Sequence, residues 1–129
     1  MKHLFNDYLK RVSFYCNLNI IEIKESKNQS IDIQKKQETL RIINAIPKNS
    51  RVFLCSLNGR EYTSNEFANI INQDNLSFII GGSNGLDEET FKNKIKFSSL
   101  TFPHQLFRVI LLEQIYRAFT IKTSKKYHK

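Results

Sequence analysis

The sequence predicts an α/β domain in which a mostly parallel β-sheet carries helices on both faces. Short apolar segments rich in β-branched residues alternate with longer segments whose apolar residues recur at helical spacing. That alternation is typical of strands joined by crossover helices, which run parallel in one sheet. A length of 129 residues fits one domain, and 40% hydrophobic with 25% charged residues is ordinary for a globular protein. We therefore expect a single domain over residues 1–129.

The first half of the chain should contain two helices and two strands. In order, these are a helix over 3–16, a strand over 19–23, a helix over 33–46 and a strand over 51–56. Pro47 should end the second helix, because proline cannot continue it. Asn58 and Gly59 are typical turn residues, so the strand over 51–56 should lead into a turn there.

The second half should contain three helices and two strands. Thr63 and Glu66 match a capping box, in which each side chain bonds the other residue's backbone amide, so a helix should begin there. The further elements are a strand over 76–80, a short helix begun by the acidic residues 87–89, a strand over 96–100 and a last helix over about 104–119. Pro103 suits the first position of that last helix.

The last predicted helix is apolar over most of its circumference. Its apolar residues are Leu106, Phe107, Val109, Ile110, Leu111, Leu112, Ile115, Tyr116 and Phe119. A helix of this kind is buried on more than one face. A second subunit would cover the other face in a domain of this size, so we expect a homodimer. The alternative is a central helix that its own domain surrounds.

The net charge of +8 lies entirely in the last third of the chain. Residues 91–129 hold nine basic residues and one acidic residue, Glu113, which is nine minus one, or +8. Residues 1–90 hold eleven of each sign. Basic side chains beside aromatic ones favour an anionic partner, with nucleic acid ahead of an anionic membrane. The alternative is a basic surface that only keeps the protein in solution.

Several functional classes lack their motifs in this sequence. The glycine loop 81–85 is not a dinucleotide-binding motif, because position 83 is serine and position 86 is leucine, and no Gly-Lys-Ser/Thr follows as in a P-loop. The Gly-x-Ser-x-Gly elbow of an α/β-hydrolase is missing as well. Cys16, Cys55 and the three histidines lack metal-ligand spacing, so no metal is expected.

The sequence predicts neither a signal peptide nor a membrane span. No apolar run approaches the roughly 20 residues that cross a bilayer. Residues 1–7 contain no unbroken apolar core of the kind that signal peptides have. We expect a cytoplasmic protein with no role at a membrane.

Three segments are candidates for a ligand site. Parallel sheets bind ligands beyond the carboxyl ends of their strands, and three segments fall at such ends. They contain Leu54, the glycine loop that begins at Gly81, and residues 97–102. Glycine gives a ligand close access to the backbone, although a tight turn is the better explanation of the glycine loop taken alone.

Two arginines, Arg108 and Arg117, lie on the apolar last helix. A buried arginine needs an anionic or hydrogen-bonded partner, because an unpaired buried charge is costly. Glu113 could pair with one of them, and a phosphate group or a base edge could engage the other.

Longer motifs carry a resemblance. They are Ile79-Ile80-Gly81-Gly82-Ser83-Asn84-Gly85-Leu86, and Ser98-Ser99-Leu100-Thr101-Phe102-Pro103-His104-Gln105-Leu106-Phe107-Arg108-Val109-Ile110-Leu111-Leu112-Glu113-Gln114-Ile115-Tyr116-Arg117-Ala118-Phe119, completed by Tyr127-His128-Lys129. Tyr8-Leu9-Lys10-Arg11 fits more loosely. These motifs resemble the ribosomal RNA large subunit methyltransferase H family, a family of SPOUT-type methyltransferases. The resemblance covers nearly the whole chain.

The resemblance implies a fold and an activity. The parallel sheet would continue into a C-terminal trefoil knot, and the protein would be a homodimer. It would use S-adenosylmethionine to methylate N3 of a pseudouridine in 23S ribosomal RNA, with the assembled ribosome as substrate. The alternative is a non-catalytic module that keeps the fold and binds the ribosome or RNA.

The resemblance also implies roles for individual residues. Cofactor binding falls to Leu54, Gly81, Phe97, Ser98, Ser99, Leu100, Thr101 and Phe102. Arg117, Tyr127 and His128 match family positions of substrate binding or catalysis. The chemistry of the reaction then suggests that Arg117 stabilises the anion of the uracil ring and that His128 accepts the proton directly or through water, the alternative being a tail that only binds RNA. Tyr127 would stack on a base, and the lysines Lys122, Lys125, Lys126 and Lys129 would contact phosphates.

This sequence departs from the pattern of the family at the N-terminus. Family members open with a further strand and connection before the first helix. This sequence begins almost at that helix. We therefore expect a single methyltransferase domain over 1–129 that lacks the usual first strand.

Overall fold

The structure is a computed structural model that describes residues 1–72 and 75–128. Its described elements are the helices α1 (Lys2–Ser13), α2 (Ile31–Ala45), α3 (Ser64–Ile71) and α4 (His104–Lys122), the strands β1 (Arg51–Glu61), β2 (Leu76–Ile79) and β3 (Lys94–Lys96), and a 3₁₀ helix over Glu88–Thr90. The chain divides into two compact units. A helical unit consists of Met1–Asn19, Glu61–Asp74 and Ser98–Lys129, and an α/β unit consists of Ile20–Arg60 and Asn75–Phe97.

In the helical unit, α1 and α3 both pack against α4. Val12 of α1 and Ala68 of α3 are almost fully buried, as is Ala118 of α4. The apolar residues of α4 thus pack against two helices of the same unit. This agrees with the alternative that the sequence allowed, a central helix that its own domain surrounds. A homodimer stays a prediction.

In the α/β unit, β1 lies between β2 and β3 in the order β2-β1-β3. β1 and β2 are parallel, and their register runs from Arg51 opposite Leu76 to Leu54 opposite Ile79. One side of this pair is closed by a buried apolar cluster, whose members are Leu54, Ile79, Leu86 and Phe91, with Ile42, Ile46 and Val52 packed against it. A mixed α/β architecture with parallel strands is therefore confirmed.

The local capping signals are confirmed. Thr63 Oγ1 accepts a hydrogen bond from the Glu66 amide at 3.1 Å, and Glu66 Oε1 accepts one from the Thr63 amide at 2.9 Å. The second helix ends at Ala45, two residues before Pro47, as predicted. The last helix is also confirmed but runs three residues past the predicted 119, and Pro103 is its N-cap rather than its first residue.

The strand predicted over 19–23 is wrong. Residues 17–28 form neither helix nor strand, and the side chains of Ile20 and Ile21 are 44% and 57% exposed. A β-branched segment becomes a strand only where a neighbouring strand pairs with it, and local preference does not supply that neighbour.

The predicted turn at Asn58 and Gly59 is also wrong, because β1 continues to Glu61. A Cβ atom at Gly59 would lie 2.6 Å from the Ile95 nitrogen and 2.6 Å from the Lys94 carbonyl carbon. The glycine is therefore needed for the close approach of β3 and not for a turn.

The final strand lies earlier than predicted. β3 covers Lys94–Lys96, and the rest of the predicted strand, residues 97–100, has no strand pairing. Ser98 Oγ accepts a hydrogen bond from the Leu100 amide at 3.0 Å. Serine side chains that bond the backbone two residues later favour turns, which explains why the strand stops here.

Candidate active site

Arg117 is held by a carboxylate one helical turn earlier on α4. Its Nε donates to Glu113 Oε1 at 2.9 Å and to Oε2 at 3.3 Å. The two side chains are only 25% and 18% exposed, respectively. The hydrogen bond to Glu113 raises the pKa of Arg117 above its ordinary value. The guanidinium is therefore charged and fixed in orientation.

The C-terminal tail brings His128 to the same guanidinium. Arg117 Nη1 lies 3.0 Å from His128 Nδ1. A guanidinium has five N–H donors and no acceptor, so Nη1 donates and Nδ1 accepts. In this arrangement the neutral imidazole carries its proton on Nε2.

Tyr127 is packed between α1 and α4. Its ring lies 5.0 Å from the Arg117 guanidinium carbon and meets the Tyr116 ring edge-to-face at 4.8 Å. Its hydroxyl is 3.1 Å from the hydroxyl of Tyr8. Desolvation is the largest cause that raises the pKa of Tyr127, and the hydrogen bond to Tyr8 is the second. The phenol therefore stays protonated. These contacts fix the tail within the helical unit.

A second group of cations lies on aromatic rings of the same unit. The Arg11 guanidinium lies 5.7 Å from the Tyr8 ring centre and 5.4 Å from that of Tyr116. Lys125 Nζ lies 5.1 Å from the ring centre of Tyr15, and a hydrogen bond to that hydroxyl raises the pKa of Lys125. Cations held over aromatic rings keep their charge while the surrounding water is partly excluded.

Sequence reasoning did not assign Tyr15, Tyr116 or the Arg11–ring contacts to the site. The signal was present, because Tyr8, Arg11 and Tyr15 recur at three- and four-residue spacing and therefore share one face of α1. A stripe of aromatic residues at that spacing normally indicates only packing. Here its tyrosines also contact Tyr127 and Lys125 of the C-terminal tail.

In the α/β unit, Leu54 and Gly81 lie near the end of the β1–β2 pairing. Leu54 is the fourth of eleven residues in β1 rather than its end, but it is the last residue paired with β2. Its side chain is 2% exposed, and its amide donates to the Asn93 carbonyl at 2.9 Å. A ligand would therefore meet backbone here, not the Leu54 side chain.

Gly81 follows β2 by two residues and opens a tight loop. A Cβ atom at Gly81 would lie 3.2 Å from Leu86 Cγ, so the glycine allows close packing against that side chain. Gly85 has a φ of +74°, and its amide donates to the Gly82 carbonyl at 3.0 Å. No atom lies within 4 Å of the Cβ position of Gly85, so the loop is open there, whereas Glu38 Oε1 would lie 3.2 Å from a Cβ atom at Gly82.

The remaining predicted cofactor residues follow β3. Phe97, Ser98 and Phe102 are half-buried, and the stretch 99–101 between them is exposed. Phe97 belongs to the α/β unit, and 98–102 belong to the helical unit. Among the predicted RNA contacts, Lys122, Lys125 and Lys126 are exposed, whereas Lys129 lies outside the described residues.

The structure therefore brings Arg117, Tyr127 and His128 into one cluster, and it places Leu54 and Gly81 in one unit. Within residues 1–72 and 75–128, no three His, Cys, Asp or Glu side chains gather as metal ligands do. Burial raises the pKa of the Cys55 thiol to about 12 and also raises that of Cys16, so neither is an activated nucleophile. None of the described helices is long and apolar enough to cross a membrane.

Comparison with known families decides the class of protein. A family model described as "Predicted SPOUT methyltransferase" matches residues 1–128. The chain belongs to the SPOUT methyltransferase family. The resemblance noted in the sequence is thereby confirmed, and the Arg117 cluster belongs to a methyltransferase.

Curated relatives of this SPOUT methyltransferase share much of its sequence. The protein named ribosomal RNA large subunit methyltransferase H of Mycoplasma mobile is 58% identical over 127 residues, which cover 98% of this chain and 89% of the relative. The protein of the same name in Mycoplasmopsis synoviae is 58% identical, covering 98% and 88%. That of Clostridium botulinum strain Kyoto is 43% identical over 144 residues, covering 100% and 91%.

Proposed function

We propose that this SPOUT methyltransferase transfers a methyl group from S-adenosylmethionine to N3 of a pseudouridine in 23S ribosomal RNA. Relatives 58% and 43% identical carry the name of a large-subunit ribosomal RNA methyltransferase, and this supports the substrate class. The observation that carries the proposal is the cluster of Arg117, Tyr127 and His128, because it is the kind of site that stabilises an anionic ring.

The glycine loop fits an adenosine-containing cofactor. No atom lies within 4 Å of the Cβ position of Gly85, so a polar edge could approach the main chain there, and the half-buried Phe97 of the same unit offers an apolar ring. Adenosine has apolar ring faces and polar edges, so it needs both kinds of surface. The residues proposed to hold the cofactor are Leu54, Gly81, Phe97, Ser98, Ser99, Leu100, Thr101 and Phe102. When bound, S-adenosylmethionine supplies a methyl group on a positively charged sulfur.

The cluster on α4 and the tail supports the chemistry at the base. N3 of the uracil ring must lose its proton before it can accept a methyl group, and negative charge then spreads over the ring nitrogen and its carbonyl oxygens. Arg117 provides a fixed positive charge for that anion. His128 is the second catalytic residue of the proposal.

The exposed lysines of the helix end and tail suit the phosphates of the RNA. Lys122, Lys125 and Lys126 are exposed, and the proposal includes Lys129 with them. Tyr127 is the proposed contact to a base. Membership in the SPOUT family supports the further proposals of a C-terminal trefoil knot, a homodimer and an assembled ribosome as substrate.

Titration with S-adenosylmethionine by calorimetry tests the cofactor site. We expect saturable binding by the natural chain and its loss in Gly81→Trp, because a Cβ atom at Gly81 would already contact Leu86 Cγ at 3.2 Å and the indole would have to occupy the space beside the loop. Lys48→Trp, at an exposed position of the same unit, is the matched control and should bind normally.

A methylation assay on large ribosomal subunits that lack the modification tests the reaction. We expect labelled methyl transfer, located at N3 of a pseudouridine by mass spectrometry, and at least a hundredfold loss in Arg117→Ala. A folded chain that binds ribosomes but neither binds the cofactor nor transfers methyl would overturn the proposal in favour of a non-catalytic module.

A further inference from the structure

We propose that His128 takes part in methyl transfer as a neutral hydrogen-bond donor through Nε2–H, and that Glu113 is the positioning residue that holds Arg117 for it. This inference rests on the proposed function. It assigns His128 a different role from the proton acceptor that we expected from the sequence and the reaction chemistry.

The first step is the occupation of His128 Nδ1. Arg117 Nη1 lies 3.0 Å from that nitrogen, and a guanidinium can only donate. The lone pair of Nδ1 therefore accepts this hydrogen bond, and the proton of the neutral ring is on Nε2. Such an imidazole has no second lone pair with which to take a proton from the substrate.

The second step concerns what protonation would cost. A proton added at Nδ1 would break the bond to Arg117 and place a positive imidazolium against a positive guanidinium. The hydrogen bond to Glu113 keeps that guanidinium charged by raising the pKa of Arg117. With Nδ1 bonded to Arg117, Nε2–H is the group that His128 offers to a substrate.

The reaction balances without a protein base. The N3 proton of the uracil ring leaves to water, and the ring anion is stabilised by Arg117 and by Nε2–H of His128 at a carbonyl oxygen. The N3 electron pair forms the new bond to the methyl carbon, while the carbon–sulfur bond breaks and its pair returns to sulfur. The products are the N3-methylated ring, a neutral thioether and one proton in solvent.

The third step identifies Glu113 as the group that orients Arg117. Both of its oxygens accept from the Arg117 Nε–H, at 2.9 and 3.3 Å, and this shared hydrogen bond restrains the guanidinium. Glu113 is itself anchored, because Gln114 Nε2 donates to Glu113 Oε1 at 3.3 Å and Ser64 Oγ donates to Gln114 Oε1 at 3.3 Å. This chain of bonds leads from the start of α3 to His128.

Nitrogen-15 NMR of histidine-labelled protein tests the tautomer without any activity assay. His3, His104 and His128 are the histidines, and the His128→Gln spectrum identifies the signal of residue 128. We expect a protonated Nε2 and an unprotonated Nδ1 at neutral pH. We also expect Glu113→Gln to give a mixture of tautomers, because a neutral amide oxygen holds Arg117 less firmly than the carboxylate does. A proton on Nδ1 in the natural chain would overturn the proposal.

The role of His128 is tested by comparing two substitutions in the ribosome methylation assay. Glutamine places an amide N–H close to the position of Nε2 but cannot accept a proton, whereas alanine does neither. We expect His128→Gln to keep kcat within about tenfold of the natural chain and His128→Ala to lose roughly a hundredfold. Equal losses in the two variants would contradict the donor role of His128.

The role of Glu113 is tested by Glu113→Gln, which keeps the shape and removes the charge. We expect kcat to fall about tenfold or more with KM for ribosomes unchanged, and we expect no such loss in Glu89→Gln, the same change at an exposed carboxylate that has no proposed role. In a His128→Ala background, Glu113→Gln should lower kcat by a smaller factor, because both substitutions act on the same Arg117–His128 hydrogen bond. Full additivity would contradict the positioning role.

The outcomes separate this inference from the proposed function. If the natural chain binds no cofactor and methylates no ribosomes, the proposed function fails whatever the tautomer is. If it methylates ribosomes but His128 carries its proton on Nδ1, or His128→Gln is as inactive as His128→Ala, only this inference fails.

Discussion

The hydroxyl groups of Tyr8 and Tyr127 lie 3.1 Å apart, although 119 positions separate the two residues in the chain. This contact joins the first helix to the C-terminal tail. Tyr116 lies beside both rings, with ring centres 6.1 Å from Tyr8 and 4.8 Å from Tyr127. The position of His128, which follows Tyr127 directly, therefore depends on packing at the opposite end of the chain.

Tyr8→Phe should loosen the tail while leaving the ring packing in place. Removing the hydroxyl removes one hydrogen bond and should lower the free energy of unfolding by about 1 kcal/mol, measured by urea denaturation. Amide hydrogen exchange of residues 125–128 should also become faster.

A double-mutant cycle supplies the control for that prediction. Tyr8→Phe and Tyr127→Phe remove the same hydrogen bond, so the second substitution should add little to the first. Strict additivity of the two losses in stability would show that the hydroxyl groups do not interact.

The stability of the protein should fall at alkaline pH partly through Tyr127. Desolvation and the bond to Tyr8 raise the pKa of Tyr127 above its ordinary value of 10.0. The folded chain then holds this proton more tightly than the unfolded chain, so the contribution is complete below pH 10.0 and is lost as pH rises through the higher folded pKa. Urea unfolding of Tyr127→Phe should show a smaller alkaline loss than the natural chain; an identical loss would exclude this origin.

Much of the helical structure could be predicted because its signals are local. The capping box of Thr63 and Glu66 and the stop at Pro47 each depend on a few neighbouring residues. The sequence also allowed Glu113 to pair with one of the two arginines of the last helix. Arg117 is the partner, and residues four apart share a helix face.

The errors fall where distant parts of the chain decide the local structure. The β-branched residues 19–23 look like a strand, but whether they pair depends on other segments of the sheet. Gly59 looks like a turn residue, and only its distance to β3 shows why it must be glycine. The bond between Arg117 and His128 spans the end of α4 and a turn, so no spacing rule predicts it.

Gly59→Ala should strongly destabilise the α/β unit. Its Cβ would lie 2.6 Å from backbone atoms of both Lys94 and Ile95, and backbone cannot move aside as a side chain can. We expect a loss of roughly 2–3 kcal/mol in the free energy of unfolding. Gly85→Ala is the matched control: no atom lies within 4 Å of its Cβ, so only its positive φ opposes the change, at about 1 kcal/mol. Equal losses would show that β3 does not approach β1 as closely as described.

Binding to ribosomes should weaken with salt, and Lys125 and Lys126 should account for part of that dependence. Both side chains are exposed, and Lys125 Nζ lies 5.5 Å from the ring centre of Phe14, which is itself 80% exposed. A lysine that neutralises a phosphate releases condensed counterions, so each of Lys125→Gln and Lys126→Gln should reduce the slope of log Kd against log salt by about one.

Binding at several salt concentrations measures these slopes, with Lys48→Gln as the exposed control from the other unit. The control should leave the slope unchanged. Because the tail substitutions remove charge and no base contact, they should weaken binding to the ribosome and to unrelated RNA by similar factors. A slope that is unchanged in Lys125→Gln and Lys126→Gln would place the phosphate contacts elsewhere on the basic last third of the chain.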